Sequence, residues 1–240
     1  MASSSEVGHN KNVANFNAAY QILQEMGTLY NPSNIRITLQ NIQLTKNQLT
    51  NLIIELNTKI PAYRNAVVNR ENATAPLSKL MTKIINNAKA SGISPAEIEN
   101  LVSQVNKIRS GTKRKNAKIE EQETETISTS QLSYDSRIAN FGILLEQLNT
   151  HPEYNPNENE LKIENLQNYR NNLLELSNQV NATANALITA RNNRNQILYL
   201  GENNITQLIK EIKAYLKSLG DPGKPYYNAL VKLKFSTIKK

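Results

Sequence analysis

Side chains that could carry out chemistry are few and widely spaced in this chain. His9 and His151 are the only histidines in 240 residues, and there is no cysteine. A chain without thiols has no disulfide scaffold, no thiolate zinc site, no iron–sulfur cluster and no cysteine nucleophile. Two histidines are also too few for a His-rich metal centre. We expect each of them to be an exposed or capping residue near a helix end.

Sequence motifs for catalysis and cofactor binding are missing as well. The eight glycines form no Gly-rich loop ahead of a helix, and there is no Gly-X-Ser-X-Gly or His-Glu-X-X-His motif. The carboxylates form neither an Asp-rich calcium loop nor the helical Glu-X-X-His pattern of di-iron proteins. The sequence therefore predicts a protein that is not an enzyme and has no metal or cofactor.

Two arginines recur at matching places and are candidate contacts for an anion or a partner. Arg70 and Arg194 each follow an asparagine near the end of a long helical segment, and Arg191 lies one turn before Arg194. Arginine is favourable at a helix C-terminus, where it can bond the last carbonyl groups. Alternatively, the three guanidinium groups bind an anionic partner through bidentate contacts.

A second candidate contact is the lysine-rich C-terminus. The formal charge of the chain is +8, and residues 210–240 hold eight lysines against two acidic residues. Lys232, Lys234, Lys239 and Lys240 could bind phosphate groups weakly and without sequence preference. No arginine, recognition helix or stacking motif accompanies them, so a solvated tail is the other interpretation.

The elements that position these residues belong to a chain whose second half resembles its first half at an offset of 124 to 125 residues. Ala14-Asn15-Phe16 matches Ala139-Asn140-Phe141, and Tyr30-Asn31-Pro32 matches Tyr154-Asn155-Pro156. At the same offset Ile84 matches Leu208. Agreement in order over most of the chain predicts a tandem duplication.

The duplication predicts the domain boundaries. We expect a helical repeat at 1–110, a polar charged linker at 111–130 and a second helical repeat at 131–240. The linker has a basic block followed by an acidic block and offers little to bury.

Apolar spacing predicts that each repeat is a bundle of about four α-helices, so the fold class is all-α. One helix in each repeat is long, roughly 40 residues. Its apolar stripe includes Ile42, Leu49 and Leu56 in the first repeat, and the following residues in the second: Leu166, Leu173, Val180, Leu187 and Leu198. Pro61 is expected to interrupt the first long helix.

Residues with known capping preferences predict where helices begin and end. Ser94-Pro95-Ala96-Glu97 has the form of a capping box, and Asn155-Pro156-Asn157-Glu158 has the same form. Gly92 and Gly220 are expected to follow the last turns of short helices. The segment from Leu230 to Phe235 alternates apolar and basic residues, and we expect it to be helical or irregular.

The N-terminus has no basic and apolar leader, and no apolar run approaches the 20 residues of a membrane span. These features predict a cytoplasmic protein without a membrane span.

Four segments resemble a family of tandemly duplicated, all-helical, cytosolic proteins of Bacteroidota-type bacteria. They are Asn12-Val13-Ala14-Asn15-Phe16, Tyr30-Asn31-Pro32-Ser33-Asn34, Ser133-Tyr134-Asp135-Ser136 and Ala190-Arg191-Asn192-Asn193-Arg194-Asn195. The resemblance spans most of the chain, but it consists of turn and packing signatures. It implies a helical fold and provides no activity, cofactor or catalytic residue.

Asparagine is unusually abundant, with 36 residues, many of them in the long helices. Uncharged polar faces repel one another less than charged faces do. We therefore expect a structural or protein-interaction protein that assembles with itself as a homo-oligomer or filament. The alternative is non-specific nucleic-acid binding through the C-terminal lysines, and a more distant alternative is contact of the same lysines with a membrane surface.

Overall fold

The computed structural model describes residues 4–109 and 129–236, and every regular element in these ranges is helical. The α-helices, in chain order, are α1 (Ser4–Glu25), α2 (Leu39–Thr74), α3 (Leu77–Ala90), α4 (Pro95–Arg109), α5 (Thr129–Asn149), α6 (Ile163–Asn195), α7 (Ile205–Ser218) and α8 (Lys224–Lys232). The all-α prediction is confirmed for these ranges. The predicted linker at 111–130 lies outside them, except for the last two residues, which belong to α5. No helix in the described ranges is long and apolar enough to cross a membrane.

The two long helices form because their apolar residues recur every three or four positions and bury one side. α2 has 36 residues and α6 has 33, close to the predicted length. Ile42, Leu49 and Leu56 on α2 are buried, as are all five residues named for the second long helix. Pro61 does not end α2, which continues to Thr74.

Glycine and a capping box mark helix ends as predicted. Gly92 and Gly220 follow α3 and α7 with φ of 87° and 70°, a left-handed conformation that favours glycine. At the start of α4, the backbone N–H of Glu97 donates to Ser94 Oγ at 3.4 Å, and Ser94 Oγ lies 2.6 Å from Glu97 Oε2. This short contact lowers the pKa of Glu97.

The prediction that Asn155 caps a long helix is wrong. α6 begins only at Ile163, after a short 3-10 helix at Asn159–Leu161. The reason is that the buried Tyr154 donates from its hydroxyl to the carbonyl of Leu161 at 3.1 Å, which holds the intervening residues as a loop.

The C-terminal segment is helical and then irregular, as expected. α8 ends at Lys232, and residues 233–236 form no regular element.

The helices pack into two compact units. Unit 1 is drawn from Met1–Ile60 and Ala186–Lys240, and unit 2 from Pro61–Asn185. In unit 1, α8 packs against α1 and α7. Its core joins apolar residues from both ends of the chain: Phe16, Leu23, Ile42, Leu49, Leu198, Ile205, Ile212, Leu216 and Leu230.

In unit 2, α4 packs against α3 and α5. Its core joins apolar residues on both sides of residues 110–128: Leu77, Met81, Ile84, Leu101, Ile108, Phe141, Leu144, Leu148, Leu166 and Leu173. Each fully buried aliphatic or aromatic side chain stabilises a core by about 1.5–3 kcal/mol relative to exposure.

The two units do not coincide with the predicted domains at 1–110 and 131–240. Each unit instead combines part of one predicted repeat with part of the other, and the boundaries fall inside α2 and α6. Sequence similarity identifies segments that resemble each other, whereas an amphipathic helix packs on any apolar face that complements it.

The helix ends also correct the alignment after the long helices. α3 and α7 both have 14 residues, and their first residues, Leu77 and Ile205, are 128 positions apart. Gly92 and Gly220 have the same spacing. Under the predicted duplication, Ile84 would therefore correspond to Ile212 and not to Leu208. The additional residues lie in the π-helical segment Gln196–Leu200 and the turn that follows it.

Candidate functional site

Arg70 and Arg194, the recurring arginines, lie in the interior of their units. The exposed fraction is 4% for Arg70 and 0% for Arg194. Arg194 donates from Nε and Nη2 to Asn195 Oδ1, at 3.2 and 3.0 Å. Arg191 is half-buried. None of the three arginines is fully exposed, which does not favour the predicted contact with an anion or a partner.

Arg70 is held by an aromatic ring. Its guanidinium carbon lies 4.1 Å from the centroid of the Tyr134 ring, which is a cation–π contact. Nε and Nη1 of Arg70 are buried without a hydrogen-bond partner. A buried donor that gives up water without a new partner costs about 1–3 kcal/mol. The contact with the Tyr134 ring, and not a hydrogen bond from Nε or Nη1, holds this side chain.

The C-terminal lysines are attached to a docked backbone. The side chains of Lys232 and Lys234 are exposed, whereas the carbonyl of Lys234 accepts a hydrogen bond from Asn15 Nδ2 at 2.6 Å. Leu233 and Phe235 pack against the core of unit 1. Lys239 and Lys240 lie outside the described residues. The segment up to residue 236 is thus part of unit 1.

A buried polar network that sequence analysis missed holds this segment against α1. His9 Nδ1 lies 2.7 Å from Tyr199 Oη, and Asn12 Nδ2 donates to the same oxygen at 3.0 Å. Asn12 also bonds the backbone of Ser236 twice, accepting from its N–H at 2.8 Å and donating to its carbonyl at 2.8 Å. These contacts hold residues 233–236 against α1.

The expectation of an exposed or capping role is wrong for His9, which is 8% exposed. The sequence did contain a signal for this burial. His9 lies four residues before Val13, and Asn12 lies four residues before Phe16, so these side chains share one face of a helix. His151 is half-buried after α5, with Nδ1 3.8 Å from Glu97 Oε1.

Two tyrosines in matching turns have raised pKa values. Burial is the main cause for both, and it raises the pKa of Tyr154 to about 12, while the pKa of Tyr30 rises further. Tyr30 donates to the carbonyl of Ile37 at 2.5 Å, as Tyr154 does to that of Leu161. Both phenols stay protonated near neutral pH and act as structural donors.

Within the described residues, unit 2 contains a surface groove, and there is no cluster of metal ligands. The groove, in unit 2, has a volume of about 490 Å³ and is lined by Lys89, Ile93, Pro95, Ile98, Glu99 and Val102. No group of three or more His, Asp or Glu side chains within 4–109 and 129–236 could hold a metal ion.

The long helices expose faces on which uncharged polar residues predominate. On α2, the exposed positions include eleven Asn, Gln or Thr residues against three charged ones, and on α6 ten against two. Aliphatic side chains are exposed among them: Leu44, Ile54 and Val68 on α2, and Leu174 and Ile188 on α6. Such faces can bind another polypeptide surface by packing and amide hydrogen bonds.

Comparison with known proteins adds no relative, since no family model, curated protein or solved structure matches the chain.

Proposed function

We propose that this chain is a non-enzymatic structural or protein-interaction protein that associates with itself. The observation that carries the proposal is the exposed faces of α2 and α6, where amide side chains outnumber charges and aliphatic residues meet solvent.

Charge explains why such a face suits a second copy. With a formal charge of +8, two copies of the chain repel each other over most of their surfaces. A face nearly without charges minimises this repulsion. Asparagine and glutamine side chains both donate and accept hydrogen bonds, so two identical amide-rich faces can complement each other.

Matching hydrogen bonds support a duplicated origin for the two halves. Asn41 Nδ2 donates to the carbonyl of Ile35 at 2.6 Å, and Asn165 Nδ2, 124 positions later, donates to that of Asn159 at 2.6 Å. The two tyrosine bonds described above have the same spacing. On this interpretation, segments of two related repeats exchanged packing partners to form the two units.

Sedimentation equilibrium of the full chain tests the proposal. The weight-average mass should rise with protein concentration toward a dimer or a larger assembly. The association should change little between low and moderate salt, because the proposed faces carry few charges. A mass that stays at 27.0 kDa at every concentration would contradict self-association.

Nucleic-acid binding is the second candidate, and the exposed side chains of Lys232 and Lys234 favour it. Deleting the C-terminus is a poor test because it would also remove Leu230, which is fully buried. The double variant Lys232→Gln/Lys234→Gln should keep the fold, because both side chains are exposed. Binding to a labelled duplex should weaken steeply with salt, and the variant should lower the salt slope by about one per lost phosphate contact. Absence of binding at low salt would exclude this function.

A further inference from the structure

Unit 1 differs from unit 2 in how the chain builds it. Unit 2 is one continuous segment, Pro61–Asn185, whereas unit 1 combines two segments, Met1–Ile60 and Ala186–Lys240, that are separated in sequence by the whole of unit 2. The two segments share one hydrophobic core, to which Leu49 contributes from the first and Ile212 from the second. Unit 1 is therefore an interface between two segments, and its contacts do not require a direct covalent connection between them.

The polar contacts between the two segments are specific. The backbone N–H of Asn31 donates to Tyr215 Oη at 3.0 Å, and the rings of Tyr30 and Tyr215 meet edge to face with their centroids 5.4 Å apart. The network between α1 and residues 233–236, described above, adds four further hydrogen bonds, and both segments supply groups to it. Each segment thus recognises the other by shape, by aromatic contact and by hydrogen bonding.

The helix α2 has a weak point where it leaves unit 1. Pro61 is the first residue of unit 2 and lies inside α2. A proline in a helix interior has no N–H to donate to the carbonyl four residues before it, and its ring crowds that carbonyl. Helices bend at such residues. Residues 4–60 can thus move away from residues 186–236 through a change confined to the turn around Pro61.

We propose that two copies of the chain associate by exchanging these segments, so that residues 4–60 of each copy complete unit 1 with residues 186–236 of the other copy. The inference rests on the proposed self-association and specifies the contacts that hold two copies together. Exchange of an identical element needs no new surface, because every contact within the exchanged unit already exists in the closed chain. The segment that covers each half of unit 1 is thus the one that covers it in the structure.

Concentration decides between the closed and the exchanged forms. Both forms contain the same contacts within unit 1, so their free energies differ only through the hinge and the freedom lost on association. A second copy competes better with the segment of the same chain as the protein concentration rises. A substitution that weakens unit 1 should therefore leave the dimer dissociation constant nearly unchanged and should speed up the exchange of chains between dimers.

Asn12→Ala tests this expectation, because it removes two hydrogen bonds between the segments. We expect the dimer dissociation constant, from sedimentation equilibrium, to change less than twofold. Mixing isotope-labelled with unlabelled dimers and following the mixed species by native mass spectrometry measures the exchange rate. That rate should rise about fivefold or more, because the segments separate without breaking these two bonds. Circular dichroism checks that the variant is folded.

A pair of cysteines distinguishes exchange from contact between closed chains, since the chain has no cysteine of its own. Asn15→Cys/Lys234→Cys places one thiol on each segment, at positions joined by the hydrogen bond from Asn15 Nδ2 to the carbonyl of Lys234 at 2.6 Å. A short bis-maleimide linker then couples neighbouring thiols in the associated protein. On a denaturing gel, exchanged chains should run as covalent dimers, whereas closed chains would run as monomers.

The matched control places a pair of thiols within unit 2. Gln104 Nε2 on α4 donates to the carbonyl of Asn140 on α5 at 2.8 Å, and both residues belong to one continuous segment. The variant Gln104→Cys/Asn140→Cys should therefore be linked within each chain and should run as a monomer after the same treatment.

The outcomes separate this inference from the proposed function. A wild-type chain that stays monomeric at every concentration overturns both. Associated chains that are linked only within themselves overturn the exchange and leave self-association standing, and equal yields of covalent dimer from the unit 1 pair and the control pair do the same. An Asn12→Ala dissociation constant that rises tenfold, or an exchange rate that does not change, also overturns the exchange.

Discussion

Arg36 forms an ion pair with Glu211 in unit 1, and the pair at the corresponding positions of unit 2 has its signs reversed. There Lys83 Nζ lies 2.7 Å from Glu160 Oε1. Arg36 and Glu160 are 124 positions apart, and Lys83 and Glu211 are 128 apart, which are the two spacings found above between matching segments. If each predicted repeat closed on itself, Arg36 would meet Lys83 and Glu160 would meet Glu211. The reversed signs thus favour the observed packing over closure within each predicted repeat.

The first prediction concerns the sign of this pair. Glu211→Lys should destabilise unit 1 because Arg36 would then face a like charge, and Arg36→Glu in the same chain should restore part of the loss. The pair is partly exposed, with side-chain exposures of 42% and 18%, so the coupling should be at most about 1 kcal/mol.

Urea unfolding of the wild type, both single variants and the double variant measures this coupling as a double-mutant cycle. High salt should reduce it. If the stability of the double variant equals the value expected from adding the two single effects, the two charges do not interact.

The second prediction is a pH dependence at Glu211. The hydrogen bond from Gln207, with those from Asn34 and Arg36, lowers the pKa of Glu211 below its ordinary value of 4.5. A carboxyl whose pKa is lower in the folded state stabilises the fold above the unfolded pKa. That stabilisation disappears as the pH falls through the folded pKa.

The free energy of unfolding of the wild type should therefore fall as the pH drops below this ordinary value. Glu211→Gln should remove part of this slope, whereas Glu146→Gln, at an exposed position of α5, should change it less. Equal slopes in the wild type and Glu211→Gln would contradict the prediction.

The third prediction is that Arg70 can be replaced by an apolar residue at little cost. Two of its nitrogens are buried without partners, so Arg70→Met removes unpaired donors while keeping a long side chain over Tyr134. We expect stability within about 1 kcal/mol of the wild type, or a gain. Arg70→Ala should cost more, since it also leaves a cavity.

Thermal unfolding compares the two variants. A large loss in Arg70→Met, equal to that in Arg70→Ala, would show that the charge itself is needed at this position, as it would be for an anion held in the interior.

The fourth prediction concerns Asn12. Asn12→Ala removes both hydrogen bonds to Ser236, so residues 233–236 should detach from α1 more often. Loss of a buried amide that satisfies backbone groups costs about 1–3 kcal/mol. Hydrogen exchange of the Ser236 amide should speed up by more than that of α3, which lies in the other unit.

Asn15→Ala is the comparison variant, because Asn15 bonds the same segment once, at the carbonyl of Lys234. It should have a smaller effect at Ser236. Unchanged exchange at Ser236 in Asn12→Ala would contradict the proposed anchoring role.

Local features of the helices were predictable because they depend on nearby residues. The spacing of Ile42, Leu49 and Leu56 is enough to predict a helix with one buried side, and Gly92 and Gly220 are enough to predict where two helices end. The wrong start of α6 came from reading Asn155-Pro156 without the bond of Tyr154 to Leu161, which spans seven residues and has no signal in the capping pattern. The burial of His9 was missed because its partner, Tyr199, is 190 residues away.

The sequence by itself determined the helical class, the presence of two long helices and the correspondence of Tyr30 with Tyr154. Each of these follows from periodicity, capping chemistry or composition along a short stretch of chain. Only the tertiary structure decided that α1 packs with α8 and that α4 packs with α5. Two similar amphipathic segments offer nearly the same apolar face, so sequence periodicity cannot choose between them. The choice depends on contacts between distant residues, such as the pairs of Arg36 with Glu211 and Lys83 with Glu160.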